Sequence, residues 1–138
     1  MLNLRNWNKK KILFILSDPG SGNIILSLIK RYNLINYNIY LSKKKIKFQG
    51  NIKNLTSKSS IHKTSKDKPF DLCVVGTGTN PTYISLANKF KKNKIFTIAI
   101  LDHWLNFISR FKKKNEKFIP DKIFLTDLKK TPKDLFFK

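Results

Sequence analysis

Three apolar runs, each cut short by a polar or glycine-bearing loop, constrain this chain most. Ile95-Phe96-Thr97-Ile98-Ala99-Ile100-Leu101 stops at Asp102-His103-Trp104. Leu72-Cys73-Val74-Val75 stops at Gly76-Thr77-Gly78-Thr79-Asn80-Pro81. Lys11-Ile12-Leu13-Phe14-Ile15-Leu16-Ser17 stops at Asp18-Pro19-Gly20-Ser21-Gly22-Asn23. None of the three alternates apolar with polar residues, so each reads as a strand covered on both faces, the habit of parallel sheets. In open α/β sheets, ligands bind just beyond the carboxyl ends of the strands. The three loops therefore outline one crevice, with Ser21, Gly22, Gly78, Thr79 and Asp102 expected to converge on one edge of the sheet.

The rest of the chain fills in around these runs. Ile24 with Leu28, and Ile25 with Ile29, stand at helical spacing and predict a helix to about Tyr32, with Asn23 as its N-cap after a turn over residues 18–22. Residues 38–41 and 122–126 predict two further strands. Pro81 suits the first turn of a second helix reaching Lys92, with Ile84, Ala87 and Phe90 pointing inward. Residues 42–49 are basic and fit a short helix or a solvated turn. Residues 50–68 are rich in Ser, Thr, Asn and Lys; irregular structure is expected there, with one short strand near 60–63 and Ile61 as the best core candidate. Residues 104–111 suit either a helix or an extended segment, and 112–117 a charged loop. This alternation predicts an α/β fold: a parallel sheet of five to six strands, helices on both faces and right-handed crossovers. At 138 residues the chain has the length of one domain with a substantial core. The expected layout is a lead-in over 1–9 anchored by Trp7, a single domain over 10–128 and a polar tail over 129–138.

Charge is the other conspicuous feature: 29 Lys and Arg against 8 Asp and Glu give a formal net charge of +21. Such a chain invites a polyanion partner, nucleic acid or an anionic membrane. Lys, Asn, Ile and Phe are all abundant, however, and their codons are A/T-rich, so a biased genome accounts for the lysines without a partner. The arginines are Arg5, Arg31 and Arg110 alone, whereas specific nucleic-acid readers lean on Arg for bidentate contacts. Nucleic acid is thus not the expected partner. Cys73, the single cysteine, sits in an apolar run and fits a buried thiol in a reducing compartment. No run approaches the roughly 18 apolar residues of a membrane span. The expectation is a cytoplasmic protein that can sit peripherally at the inner membrane face through its lysines.

Each loop admits a structural and a chemical reading. Gly20, Ser21, Gly22 and Asn23 could cradle a phosphate at a helix N-terminus. They match neither a Walker loop, for want of a Gly-Lys-Ser/Thr end, nor a full dinucleotide fingerprint, because Ile25 stands where the third glycine belongs. A tight turn, bare or touching a sugar, fits better. Gly76, Thr77, Gly78 and Thr79 offer backbone N–H and hydroxyl donors, while Thr79 or Asn80 could simply cap the next helix. Asp102 and His103 are the sharpest signal. A carboxylate and an imidazole at a strand end can serve as base and orienter, although adjacent strand residues point to opposite faces and need not touch. Arg110 could pair with Asp102 or meet a phosphate. No metal ligands are expected: His62 has no second His, Cys or carboxylate cluster at metal spacing.

Taken together, Gly76-Thr77-Gly78-Thr79, Leu101-Asp102-His103-Trp104, Asn106, Arg110-Phe111, Pro120-Asp121 and Asp127 form a pattern. It resembles the amino-terminal, Rossmann-like half of GT-B-type glycosyltransferases and sugar-nucleotide epimerase-like proteins of bacterial surface-polysaccharide synthesis. The likeness spans roughly residues 10–128, is strongest after Asp71, and extends to the opening turn at 18–23. Two departures stand out. An acid expected early in the helix after Thr79 is absent from Pro81-Thr82-Tyr83-Ile84-Ser85. The chain also ends where such a protein would cross into the second domain that holds most of the nucleotide-sugar donor.

The resemblance implies a GT-B N-terminal-domain fold and an acceptor-side half-domain, either truncated or one part of a split enzyme. His103 would be the catalytic base and Asp102 its orienter or a hydroxyl ligand. Gly20, Ser21, Gly22, Asn23, Gly76, Thr77, Gly78, Thr79, Trp104, Asn106 and Arg110 would line the ligand site. No covalently bound cofactor is expected; a nucleotide sugar would be the donor substrate. The implied partners are a donor-binding domain or subunit and a glycan or lipid-linked acceptor. The competing reading is a lysine-rich, non-enzymatic module that binds nucleic acid or an anionic membrane surface.

Overall fold

The computed structural model of the chain describes residues 4–43, 46–48, 52–57, 59–61, 69–78, 82–103 and 106–125. A 3-10 turn at Leu4–Lys9 leads into β1 (Ile12–Leu16) and α1 (Pro19–Arg31). After β2 (Tyr37–Leu41) come β3 (Leu72–Gly76), α2 (Ile84–Lys92) and β4 (Phe96–Leu101). A short α3 (Phe107–Phe111) runs into the paired strands β5 (Lys112–Lys113) and β6 (Glu116–Lys117), and β7 (Lys122–Leu125) follows. Five strands form one sheet in the order β2-β1-β3-β4-β7, and every neighbouring pair is parallel.

The apolar runs lack alternation because both faces of the sheet are buried. Ile12, Phe14 and Leu16 of β1 share one face with Val74, Ile98 and Ile100, packed against Ile25 and Ile29 of α1 and against Trp7. Leu13 and Ile15 share the other with Cys73, Val75, Ala99 and Leu101, packed against Ile84, Ala87 and Phe90 of α2. Ile61 and Phe118 join that second layer, so a buried residue from the polar middle segment helps close it. Successive side chains on a strand alternate faces, and here both faces meet a helix.

Topology then sets where a ligand can go. The connection through α1 carries the chain from β1 outward to β2, and the connection through α2 carries it from β3 the other way to β4. Right-handed crossovers moving in opposite directions must lie on opposite faces. The loops leaving β1 and β3 therefore diverge, which marks a switch point at the carboxyl ends of these two strands. The result is an α/β, Rossmann-like arrangement flanked by helices.

Four local expectations need correction. Asp18, not Asn23, is the N-cap of α1: its extended backbone (φ −146°) lets its side chain accept from the Ser21 N–H at 3.1 Å, and Pro19 takes the first helical position. An Asp-Pro start, with a capping oxygen and a preset φ, outweighs the two glycines behind it. α2 starts at Ile84, with Tyr83 at the N-cap position, later than the expected start; Thr79, Asn80 and Pro81 lie outside the described residues. Residues 59–61 are helical, and the extra strand-like pairing sits earlier, as a parallel bridge between Leu55 and Ile39. Residues 112–117 form a hairpin instead of a loop. Its turn places Lys114 at φ 52°, in the left-handed region. His62 and the tail from residue 126 also lie outside the described residues.

Burial predicts the behaviour of Cys73. Its side chain is inaccessible, and desolvation pushes the thiol well above its ordinary value. As pH rises past the ordinary thiol range near about 8.5, the unfolded chain ionises first while the native thiol stays protonated. The unfolded state then binds fewer protons, and stability falls by up to about 1.4 kcal/mol per pH unit. Urea unfolding between about pH 8 and pH 10 should show the wild type losing roughly 1–2 kcal/mol more than Cys73→Ala. Equal losses would contradict the burial.

Candidate functional site

The loops leaving β1 and β3 are joined to each other by small hydroxyl side chains. Ser17 Oγ donates to the Gly76 carbonyl at 2.7 Å. The Ser21 hydroxyl lies between the Thr77 carbonyl (2.8 Å) and Asp18 Oδ1 (3.1 Å), with one proton to share. Thr77 then reaches the next strand, its Oγ1 donating to the Ile100 carbonyl at 3.0 Å. Ser17, Ser21 and Thr77 are all buried, so these bonds are protected from water. A larger residue at any of these positions would hold the two strand ends apart.

Glycines permit the same closeness. A Cβ on Gly20 would stand 2.2 Å from Asp102 Oδ2, and one on Gly78 would stand 2.8 Å from Asp18 Oδ2. A Cβ on Gly22 would enter the Phe48 ring, 2.1 Å from its nearest carbon, and one on Gly76 would meet Ser21 Oγ at 2.8 Å. These glycines thus serve close approach of neighbouring segments.

Beneath the mouth lies a buried guanidinium. Arg110 from α3 is 1% exposed and donates to Asp102 Oδ1 at 2.9 Å and to Thr77 Oγ1 at 3.2 Å. Asp102 Oδ1 also accepts from the backbone N–H of His103 at 3.0 Å. Tyr83 holds α3 in place: its phenol donates to the Arg110 carbonyl at 2.5 Å and accepts from Gly78 N–H at 3.3 Å. Burial pushes the Tyr83 phenol well above its ordinary value and keeps it a neutral donor.

The expected site residues fall into distinct groups. Ser21, Gly78 and Asp102 do converge at the carboxyl edge of the sheet, together with Gly20. Ser21, Gly76, Thr77, Gly78 and Arg110 are buried and build the floor, whereas Gly22, also buried and expected to join them, packs against Phe48. Gly20, Asn23, Asp102 and His103 are half-exposed and Asn106 is exposed, in the left-handed region at φ 57° ahead of α3. Thr79 and Trp104 lie outside the described residues. Sequence reasoning left Asp18 out of the site, although it is half-exposed there; its signal was the Asp-Pro pair that opens α1. Tyr83 carried no signal, since a tyrosine near a helix start gives no hint of which backbone groups it will join.

The charges at this mouth are mixed, since one of its two carboxylates, Asp102, is already paired with the Arg110 guanidinium. The positive end of α1 would attract an anion, but Asp18 already supplies a carboxylate there, and its carbonyl takes the Gly22 N–H at 3.1 Å. Asp102 adds a second carboxylate beside Gly20. Among the described residues, no three His, Cys, Asp or Glu side chains gather as a metal site, and no helix is long and apolar enough to cross a membrane. A separate groove of about 760 Å³ lies along α1 near the β2 edge, lined by Asn23, Lys30, Asn33, Tyr37, Lys53 and Asn54 among others. Of the expected site residues it takes in Asn23 alone, so it is not the switch-point mouth.

No protein-family model matches the chain, and no curated protein matches it.

Two substitutions test this geometry. Gly20→Ala should push Asp102 from its seat on Arg110 and cost about 1–3 kcal/mol by chemical denaturation. Arg110→Met should cost about 1–3 kcal/mol, because Asp102 and Thr77 lose a charged donor while the half-exposed carboxylate keeps its contact with water. A change under about 0.5 kcal/mol in either would mean that the mouth is not held as described.

Proposed function

We propose that this chain is the acceptor-side half of a GT-B-type glycosyltransferase acting in surface-polysaccharide synthesis, working with a donor-binding domain or subunit. One observation carries this reading. Two half-exposed carboxylates, Asp18 beside Gly78 and Asp102 beside Gly20, stand at the strand ends where a helix N-terminus would otherwise invite phosphate. Carboxylates accept hydrogen bonds from vicinal hydroxyls and repel phosphate oxygens, which suits a sugar acceptor and leaves the donor's diphosphate to the partner half. The glycine loops line the cleft wall, and their buried hydroxyls keep that wall rigid.

In this reading His103 is the base. Its backbone N–H donates to Asp102, and the residue is half-exposed just beyond the end of β4. A neutral imidazole can take the proton of an acceptor hydroxyl. As that oxygen bonds to the anomeric carbon of the nucleotide sugar, the bond to the diphosphate breaks and the nucleotide leaves with the electron pair. Asp102, clamped by Arg110, orders the backbone of His103 and serves as a ligand for a second hydroxyl.

The experiment is a titration of the isotopically labelled protein with neutral oligosaccharides and, separately, with a nucleoside diphosphate. Sugar-dependent shifts are expected at Gly20, Asp102 and His103, weakened roughly tenfold or more in Asp102→Asn. Shifts caused by the nucleotide alone, centred on Gly20 to Gly22, would reverse the assignment of the acceptor side. In the assembled enzyme, His103→Ala should lower turnover by about a hundredfold or more with little change in melting temperature. Loss of stability with activity retained would make His103 a packing residue.

A further inference from the structure

The β5–β6 hairpin carries its charge in an arrangement that folding alone does not favour. Lys112 stands directly opposite Lys117, and both are exposed. Like charges facing each other across a strand pair are destabilising. Lys114 sits at the turn with φ 52°, where Asn or Gly is the comfortable choice. The other side of the ribbon supplies the grip. Glu116, opposite Lys113, accepts from Ser85 Oγ at 2.7 Å and from Asn88 Nδ2 at 3.2 Å on α2. Phe118 is buried immediately beyond it. Side chains alternate along a strand, so the Glu116 side faces α2 while Lys112 and Lys117 face outward, with Lys114 at the tip. Just upstream, α3 turns Phe107 and Phe111 toward the core and leaves Ile108 71% exposed, four residues before Lys112.

We propose that this outward face of α3 and the hairpin docks the protein onto an anionic lipid surface. Lys112, Lys114 and Lys117 meet the headgroup phosphates, and Ile108 enters the acyl boundary. An anionic surface relieves the repulsion between Lys112 and Lys117, which solvent alone only screens. Lysines beside an exposed aliphatic side chain suit an interface with a charged and an apolar layer. Nucleic acid suits them less: single strands are held by exposed aromatic rings and arginine, and on this face Phe107 and Phe111 pack inward while Arg110 is buried. The inference does not depend on the glycosyltransferase reading, since it concerns a surface apart from the switch-point mouth.

Vesicle co-sedimentation of the full chain tests it, using phosphatidylcholine vesicles with and without phosphatidylglycerol. Binding should require phosphatidylglycerol and fall with salt. The triple variant Lys112→Gln, Lys114→Gln and Lys117→Gln should lose roughly tenfold or more in partitioning. A control triple with the same change in net charge, Lys9→Gln, Lys30→Gln and Lys53→Gln, should lose less than about threefold. Ile108→Asn should weaken binding several-fold with an unchanged circular dichroism spectrum. Equal losses in the two triples would reduce the effect to net charge without place and overturn the proposal. So would an Ile108 variant that binds as the wild type does, or single-stranded RNA binding that the hairpin triple abolishes while vesicle binding survives.

Discussion

The parallel pairing of β1 with β3, buried on both faces, is the constraint on which the remaining structure depends. Neither strand can leave a polar side chain on a face, because α1 covers one layer and α2 the other. Parallel neighbours cannot be joined by a tight turn, so each connection must run back over the sheet. With right-handed crossovers leading away from this pair in opposite directions, the ends of β1 and β3 are the one place in the sheet where two loops part. This topology brings Asp18, Gly20 and Ser21 of one strand-end loop against Thr77 and Gly78 of another, with Ser21 and Thr77 56 residues apart in sequence.

What occupies that place is a set of polar groups that mostly bond one another. Ser17, Ser21 and Thr77 spend their hydroxyls on the carbonyls of the neighbouring strands. Arg110 is withdrawn beneath the surface, where it holds Asp102 and Thr77. Taking a guanidinium out of water is expensive, and it persists only with good geometry and further hydrogen bonds. The network therefore gives the mouth rigidity, and the groups that reach solvent above it, Asp18, Asp102 and His103, inherit fixed positions.

The distribution of charge follows a related logic. Acids are scarce in this chain, and each of the five among the described residues holds a defined bond. Asp71 accepts from the Lys11 N–H, Asp121 from Thr97, Glu116 from Ser85 and Asn88, Asp18 from Ser21, and Asp102 from Arg110. Lysines far outnumber the acids, and some are held as well: Lys91 pairs with Asp121, and Lys11 lies over the Phe70 ring. What sets one group of lysines apart is position, as at the Lys112–Lys117 pair.

The sequence by itself determined the layers and the strand ends. Non-alternating runs are best satisfied by a sheet with two covered faces, so the parallel strands, the inward residues Ile84, Ala87 and Phe90, and the burial of Cys73 were legible from periodicity, whereas the choice of Ile25 and Ile29 over Ile24 and Leu28 as the buried pair was not. It also pointed to Asp102 and His103, because ionisable residues ending a buried strand stand out against their surroundings. Tertiary structure decided which of the nearby polar groups face solvent. Nothing local distinguishes an arginine that reaches a ligand from Arg110, which turns under the floor, since its partners Asp102 and Thr77 lie just past the ends of two different strands. Nor could spacing show that Gly20 and Gly78 are small to admit Asp102 and Asp18, that residues 112–117 would close into a hairpin on α2, or that Asp18 would occupy the anion position of its own helix. Periodicity reports burial, which a short window of sequence encodes. Hydrogen-bond partners are set by which chain ends the topology brings together, and that requires the whole fold.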